Sequence, residues 1–187
     1  MKVIAITGTP GVGKTSVVKI LKKEMNANII SLTSLVKEKK IKSDWDKVRM
    51  INIVDAKDIR TAVRKEIKNG INIVDGHLSH LAKANIVVIL RCRPDVLIKR
   101  MKKKKWKAEK INENIQAEIL DVISIESLQQ KRKIIEIDTT KSSAKKTALL
   151  IKRVLNSSAL QRKYPVGKID WTRKFSHYLI NYPVKGC

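Results

Sequence analysis

The sequence predicts an α/β fold: a doubly wound, five-stranded parallel sheet with helices on both faces. Three observations carry that prediction. Short apolar runs bounded by turn residues alternate with segments of helical period. The first run leads directly into Gly8-Thr9-Pro10-Gly11-Val12-Gly13-Lys14-Thr15, a G-x-x-x-x-G-K-[ST] pattern set between a strand and a helix. The chain has 187 residues, 43% of them hydrophobic, enough for one core and a short appended tail but not for two full-size domains. Strand-helix-strand alternation places parallel strands in one layer and their crossover helices above and below it.

The predicted strands are Val3 to Thr7, Asn28 to Ser31, Ile71 to Asp75, Ile86 to Arg91 and Ile134 to Asp138. Between them the helical period marks 14–25, 32–40, 55–69, 94–103, 111–130 and 141–156. In the third helix Asp55 is the expected N-cap, and Gly70 falls just past the end. Two stretches interrupt the alternation, and both are candidates for mobile segments over a site. Ile41 to Val54 is irregular and polar, and in Lys99 to Lys110 eight of twelve residues are Lys or Arg against the single Glu109. Beyond Asn156 the composition shifts to Ser157-Ser158, two proline turns and most of the remaining aromatics, Tyr164, Trp171, Phe175, Tyr178 and Tyr182, which reads as a docking tail.

Composition narrows the function classes. The chain carries 41 Lys+Arg against 17 Asp+Glu, a net charge of +24, which favours polyanionic partners such as RNA, nucleotides or acidic protein surfaces. Lysine enrichment across a hyperthermophilic proteome would give the same count with no bearing on RNA. Two cysteines, Cys92 and Cys187, build neither a disulfide framework nor a C-x-x-C metal site, so a reducing cytosol is expected, with Cys92 in the core. Trp45 and Trp106 are expected as half-buried loop anchors. No apolar run approaches a bilayer span and the N-terminus has no signal-peptide pattern, so a cytoplasmic protein without membrane contact is expected.

The glycine-rich motif carries the most specific chemistry. Its glycines, Gly11 and Gly13 among them, let backbone N–H groups turn inward around a phosphate, and the following helix offers its positive end. Lys14 would reach the β and γ oxygens of ATP, and the Thr15 hydroxyl would serve Mg2+. A second constellation, Ile73-Val74-Asp75-Gly76-His77, closes a buried strand at the end where open α/β sheets place ligands. There Asp75 is the candidate partner for Mg2+ and its water shell, and His77 a candidate for orienting water or sensing the γ-phosphate.

The same residues carry a resemblance. The phosphate loop, the element Val74-Asp75-Gly76-His77 and the segment Asn112-Glu113-Asn114-Ile115-Gln116-Ala117-Glu118-Ile119 resemble the adenylate kinase isoenzyme 6 family, also called coilin-interacting nuclear ATPase protein, over about 1–155. Ile169-Asp170-Trp171 is similar to a tail element of archaeal members. The resemblance implies an adenylate-kinase-like domain over 1–155, with a monophosphate-binding segment at about 30–53, a lid at about 103–113 and a tail at 156–187. It implies broad nucleoside monophosphate kinase activity (ATP + AMP to 2 ADP) with ATPase activity, acting in late small ribosomal subunit maturation and rRNA processing. The implied partners are ATP, AMP, the platform ribosomal protein numbered eleven in universal naming, and the pre-ribosomal small subunit with its rRNA. Gly11, Gly13, Lys14, Thr15 and Ser16 would contact ATP phosphates, and Asp75 with His77 would form the acidic element. This chain departs from the family in Lys104-Lys105-Trp106, where the family has Arg-Gly-Tyr, and in Leu35-Val36-Lys37-Glu38, where it often has Leu-Ala-Arg-Glu. A forked guanidinium is thereby replaced by the point charges of Lys104 and Lys37, which bears on kinase turnover more than on ATP binding. Arg100 and Arg91 remain as guanidinium candidates near the lid.

Three functions follow from these residues. In a phosphotransferase, Lys14, Arg100 and the lid lysines would offset developing phosphoryl charge with no side-chain nucleophile. In an ATPase switch, Asp75 and His77 would position water, and the +24 charge and aromatic tail would serve a protein or RNA partner. An RNA-binding protein that uses nucleotide only for stability is disfavoured by the intact Gly13-Lys14-Thr15 and Asp75. Shikimate-kinase-like small-metabolite kinases are disfavoured because no Asp-x-Asp occurs near Ile29-Ile30-Ser31.

Overall fold

Strand β1, Lys2–Thr7, forms the middle of the sheet because its side chains suit burial on both faces: Val3 and Ala5 point to one layer, Ile4 and Ile6 to the other. The computed structural model describes residues 1–41, 44–46 and 51–180, and of 44–46, 51–53 and 180 only the backbone. Residues 42–43 and 47–50 of the expected monophosphate-binding segment, the Trp45 side chain, Tyr182 and Cys187 lie outside the described residues.

The chain continues as α1 (Lys14–Glu24), β2 (Asn28–Ser31), α2 (Leu32–Lys37), β3 (Asp44–Asp46), β4 (Ile51–Ile53), α3 (Ala56–Glu66) and β5 (Ile71–Asp75). It then forms β6 (Ile86–Arg91), α4 (Pro94–Lys103), α5 (Ala108–Ile119), α6 (Val122–Gln129), β7 (Lys133–Asp138) and α7 (Ala144–Leu155). Three single-turn helices follow: α8 (Ser158–Gln161), α9 (Thr172–Phe175) and α10 (His177–Ile180). The main sheet has the order β2-β5-β1-β6-β7, parallel throughout, and contains the five strands the sequence predicts. Successive crossovers leave β1 in opposite directions, so the switch point, and with it the ligand crevice, falls at its carboxyl end.

Helices α1 and α7 cover one face, where Val17, Val18 and Leu21 meet Ile151, Val154 and Leu155 over Ile4, Ile6, Val88 and Leu90. Helix α3 covers the other through Ile59, Ala62 and Val63 against Val3, Ala5, Val74 and Val87. Asp55 caps α3 as expected, accepting from the Lys57 N–H. That helix stops at Glu66, however, because Asn72 bonds both the N–H and the C=O of Lys68 and draws the chain into a loop before Gly70.

Two further expectations are corrected. The stretch read as irregular contains a small antiparallel pair, β3 with β4. The helix expected over 111–130 is two helices, broken at Asp121, whose left-handed backbone (φ 55) turns its carboxylate onto Arg91. Arg91 accordingly does not face a phosphate. It is 2% exposed and donates to Glu118 (2.8 Å), Glu136 (2.9 Å) and Asp121. Burial opposes its charge, but the three carboxylates outweigh that effect and leave its pKa raised. Replacing Arg91 by Met strands Glu118 and Glu136 without their counter-charge and is expected to cost about 3–5 kcal/mol. Thermal unfolding would register this as a Tm lower by roughly 10 °C.

Candidate active site

The loop between β1 and α1 closes over the switch point. At Gly8 the backbone takes φ +134, and a Cβ there would stand 2.3 Å from the Leu90 carbonyl oxygen, so no other residue fits. Gly13, at φ 108, caps α1 without any side-chain bond, and no acidic residue occupies the first turn. The free N–H groups of that first turn therefore point at the crevice with their partial positive charge, the arrangement that binds phosphate. Gly11 lines the inner side of the loop against Leu97 and Met101 of α4. Thr15 and Ser16 are exposed on the first turn.

Lys14 bridges this loop, its Nζ donating to the carbonyls of Gly8 (2.6 Å) and Thr9 (3.1 Å). Burial pulls its pKa from 10.5 down to about 8, against the opposing attraction of Asp75 and Glu118 and with a further push from Lys104. Asp75 ends β5 in register with Ile6 of β1, on the flank of the loop. Burial raises its pKa while Lys14 lowers it, and its Oδ1 is buried without a hydrogen-bond partner. A buried carboxylate oxygen left open beside a phosphate loop, with the Thr15 hydroxyl available on the facing helix, fits a Mg2+ ion that keeps most of its water and bonds phosphate. No group of three or more His, Cys, Asp or Glu suited to a metal occurs among the described residues.

His77 stands at the rim with its side chain exposed. Partial burial of the ring, and then the positive charges of Lys14, His80 and Lys110, lower its pKa to about 4, so its imidazole is neutral near pH 7. Its carbonyl accepts the Thr7 hydroxyl at 2.9 Å. Beneath it lies a residue that sequence reasoning missed. His80, fully buried, pairs with Thr7 Oγ1 (3.2 Å) and with Glu126 Oε2 (2.9 Å), bracing the turn that carries Asp75 and His77. A second histidine three residues after His77 was the available signal.

The remaining expected residues are distributed more widely. Arg100 lies behind the loop, donating to the Val12 carbonyl (3.2 Å) and to the carbonyls of Thr139 (2.8 Å) and Thr140 (3.4 Å), so it fixes main chain. Lys104 follows α4, exposed, with its Nζ 5.9 Å from the Trp106 ring centre. Lys110 lies 4.9 Å from the same ring, and the half-buried Trp106 anchors this basic turn as expected. Cys92 is fully buried, as expected. A second missed residue, Glu118, is 2% exposed and accepts the Thr9 hydroxyl of the loop, along with Arg91 Nε (2.8 Å) and the Cys92 N–H (3.0 Å). Its segment was noticed for its resemblance, not for this contact.

The AAA domain family model matches residues 4–121. A protein named "Putative adenylate kinase" from Methanocaldococcus jannaschii is 37% identical over 177 residues, covering 94% of this chain and 96% of its own. Proteins of the same name from Pyrococcus furiosus (36% identical, 95% of both chains) and Methanosarcina barkeri (38% identical, 90% and 96%) are similarly alike. Among solved structures, deoxyadenosine kinase from M. mycoides with bound dATP is similar with a TM-score of 0.53 at 16% identity, over 84% of this chain and 100% of that one. At that identity the likeness shows the fold alone. No helix among the described residues is long and apolar enough to cross a membrane.

Lys14 gives the site a pH signature. Folded, it loses its proton at about 8, whereas the unfolded chain holds it to 10.5, so the unfolded state binds more protons between these values. Stability of the nucleotide-free protein is therefore expected to rise with pH across that window, by about 3 kcal/mol at full extent. Urea unfolding of the protein and of Lys14→Met from pH 7 to 10.5 checks this: the difference between them should shrink as pH rises.

Proposed function

The chain belongs to the AAA domain family and, with its archaeal relatives, to an adenylate-kinase-like family, and from that premise we propose that it is a nucleoside monophosphate kinase transferring phosphate from ATP to AMP. The observation that carries the reading is the pairing of Lys14, held on the carbonyls of Gly8 and Thr9, with the unpartnered Asp75 oxygen across an uncapped helix start. The relatives' name supports adenylate kinase activity and AMP as acceptor.

The loop N–H groups with Gly11, Gly13, Thr15 and Ser16 hold the ATP phosphates. Lys14 leaves its two carbonyls to bind β and γ oxygens, whose negative charge would offset the burial that disfavours its ammonium form. Thr15 and Asp75 would hold Mg2+, which would neutralise phosphate charge when bound. An AMP phosphate oxygen then displaces ADP from the γ-phosphorus, and positioning and charge neutralisation suffice without a side-chain nucleophile. Lys104 and its neighbours supply mobile point charges toward the transferred group. Arg100 acts by fixing Val12. Within this reading, residues 1–155 form the kinase domain, with about 30–53 binding the monophosphate and about 103–113 closing as a lid, and 156–187 form the tail.

A second reading, an ATPase switch of the isoenzyme 6 type working on the small ribosomal subunit and its platform protein, is favoured by one observation: His77 is neutral and exposed beside Asp75, able to accept a proton or hydrogen bond from an attacking water. The two readings separate when ADP, AMP and free phosphate are followed with Mg2+ and ATP, with and without AMP and with and without the platform protein. ADP forming at the expense of AMP, with little phosphate, supports the kinase. Phosphate release that responds to the ribosomal protein supports the switch, and neither product overturns both.

Lys14→Met is expected to lower either activity by roughly 10²–10³-fold or more, with circular dichroism unchanged and melting no lower than the parent's. Unchanged turnover would refute the assignment. His77→Gly is expected to reduce hydrolysis more than transfer to AMP, and equal losses would show that His77 does not orient water.

A further inference from the structure

The phosphate loop is joined to the C-terminal segment through a single carboxylate. Trp171, just before α9, donates its indole N–H to Glu118 Oε1 at 3.3 Å. The other oxygen of Glu118 accepts the Thr9 hydroxyl, and the carbonyl of Thr9 accepts Lys14 Nζ at 3.1 Å. A continuous chain of hydrogen bonds thus runs from tail to loop to lysine.

The tail is held over this carboxylate by contacts of its own. The Gly167 N–H donates to Glu136 Oε2 (2.9 Å), the Glu136 N–H to the Tyr164 carbonyl (3.1 Å), and the Thr172 hydroxyl to the Ile119 carbonyl (3.0 Å). Trp171 packs edge-on against Phe175, 6.3 Å between ring centres, which fixes the indole plane. Glu118 and Glu136 both bond Arg91, so the tail touches the buried charge cluster at each end.

We propose that Glu118 and Trp171 are positioning residues for the phosphate loop: the tail indole orients the carboxylate that orients Thr9, and so sets how tightly the loop grips a nucleoside triphosphate. The proposal rests on the loop being the triphosphate site but not on what the γ-phosphate is transferred to. Oε1 of Glu118 also takes Arg91 Nε and the Cys92 N–H, which hold it from the sheet side, and the indole adds the constraint from the tail side. A carboxylate fixed from both sides leaves its second oxygen one direction in which to hold Thr9, and a pre-set loop loses less conformational freedom on binding phosphate.

The test is a double-mutant cycle read by calorimetric titration of the full chain with Mg·ATP. Trp171→Phe keeps a ring against Phe175 but removes the indole N–H together with part of the ring area, while Thr9→Val removes the hydroxyl at nearly constant volume. Each is expected to weaken ATP binding roughly three- to tenfold, and the double variant should bind no more weakly than Thr9→Val alone. Thr9→Ser, which retains the hydroxyl, should restore both the affinity and the sensitivity to Trp171→Phe. A Trp171→Phe protein that melts lower but binds ATP as the parent does reduces the tail to packing and overturns the proposal. Losses that multiply in the double variant overturn it as well, as does failure of the parent chain to bind ATP. Tight binding with an intact cycle but no phosphate transfer to AMP refutes the kinase reading alone and leaves the positioning roles supported.

Discussion

One buried guanidinium organises the molecule. Arg91 ends β6 under the phosphate loop, and Glu118 from α5, Asp121 from the break before α6, and Glu136 from β7 converge on it. Glu118 and Glu136 are each 2% exposed, and burying such groups is costly unless an opposite charge and hydrogen bonds meet them, which the guanidinium provides. Packing by apolar side chains would hold the same helices at some angle, whereas directional bonds to a rigid fork select one. The helix break at Asp121, the seat of Thr9 and the docking of Gly167 all follow from that choice.

The site above the cluster has the opposite character, because its polar groups are left open. Asp75 holds a buried oxygen without a partner, α1 begins without a cap, and Lys14 is bonded to carbonyls that a phosphate can replace. Each of these carries a cost in the nucleotide-free protein, visible in the downward shift of Lys14 and the upward shift of Asp75. On the proposed reading, a triphosphate with a divalent cation would supply the missing charge on both sides at once.

The sequence made the five main strands legible because each is a short apolar run buried on both faces, and the loop legible because its spacing is a steric requirement of the backbone itself. Asp55 was legible as a cap because capping is local. What escaped was long-range pairing of charge. Nothing in the letters around Arg91 says that its partners lie 27, 30 and 45 positions away, so it read as a phosphate ligand and the helix containing Asp121 read as continuous. His80 escaped for the same reason: its partners Thr7 and Glu126 are 73 and 46 positions distant. Arg100 was placed near the loop correctly in sequence terms, yet its donors turn to main-chain carbonyls that no side-chain pattern records.

The net charge of +24 takes on a sharper meaning once the acids are located. Glu118 and Glu136 are each 2% exposed, and Asp75 is largely inside, so part of the small acidic complement never reaches the surface. Lys102 and Lys103 at the end of α4 and Lys104 and Lys105 in the turn that follows are all exposed, next to Lys107 and Lys110. Lysine repels lysine at this spacing, and Trp106, flanked by Lys104 and Lys110, moderates that repulsion through its ring face. A run of like charges at this spacing is relieved by an anion, which on the proposed kinase reading would be the phosphates of the nucleotide. A guanidinium in place of Lys104 would commit the turn to one bidentate geometry, whereas a row of ammonium groups tolerates many. The chain therefore attracts anions broadly and leaves geometric selection to the rigid loop, which the buried cluster beneath it holds in shape.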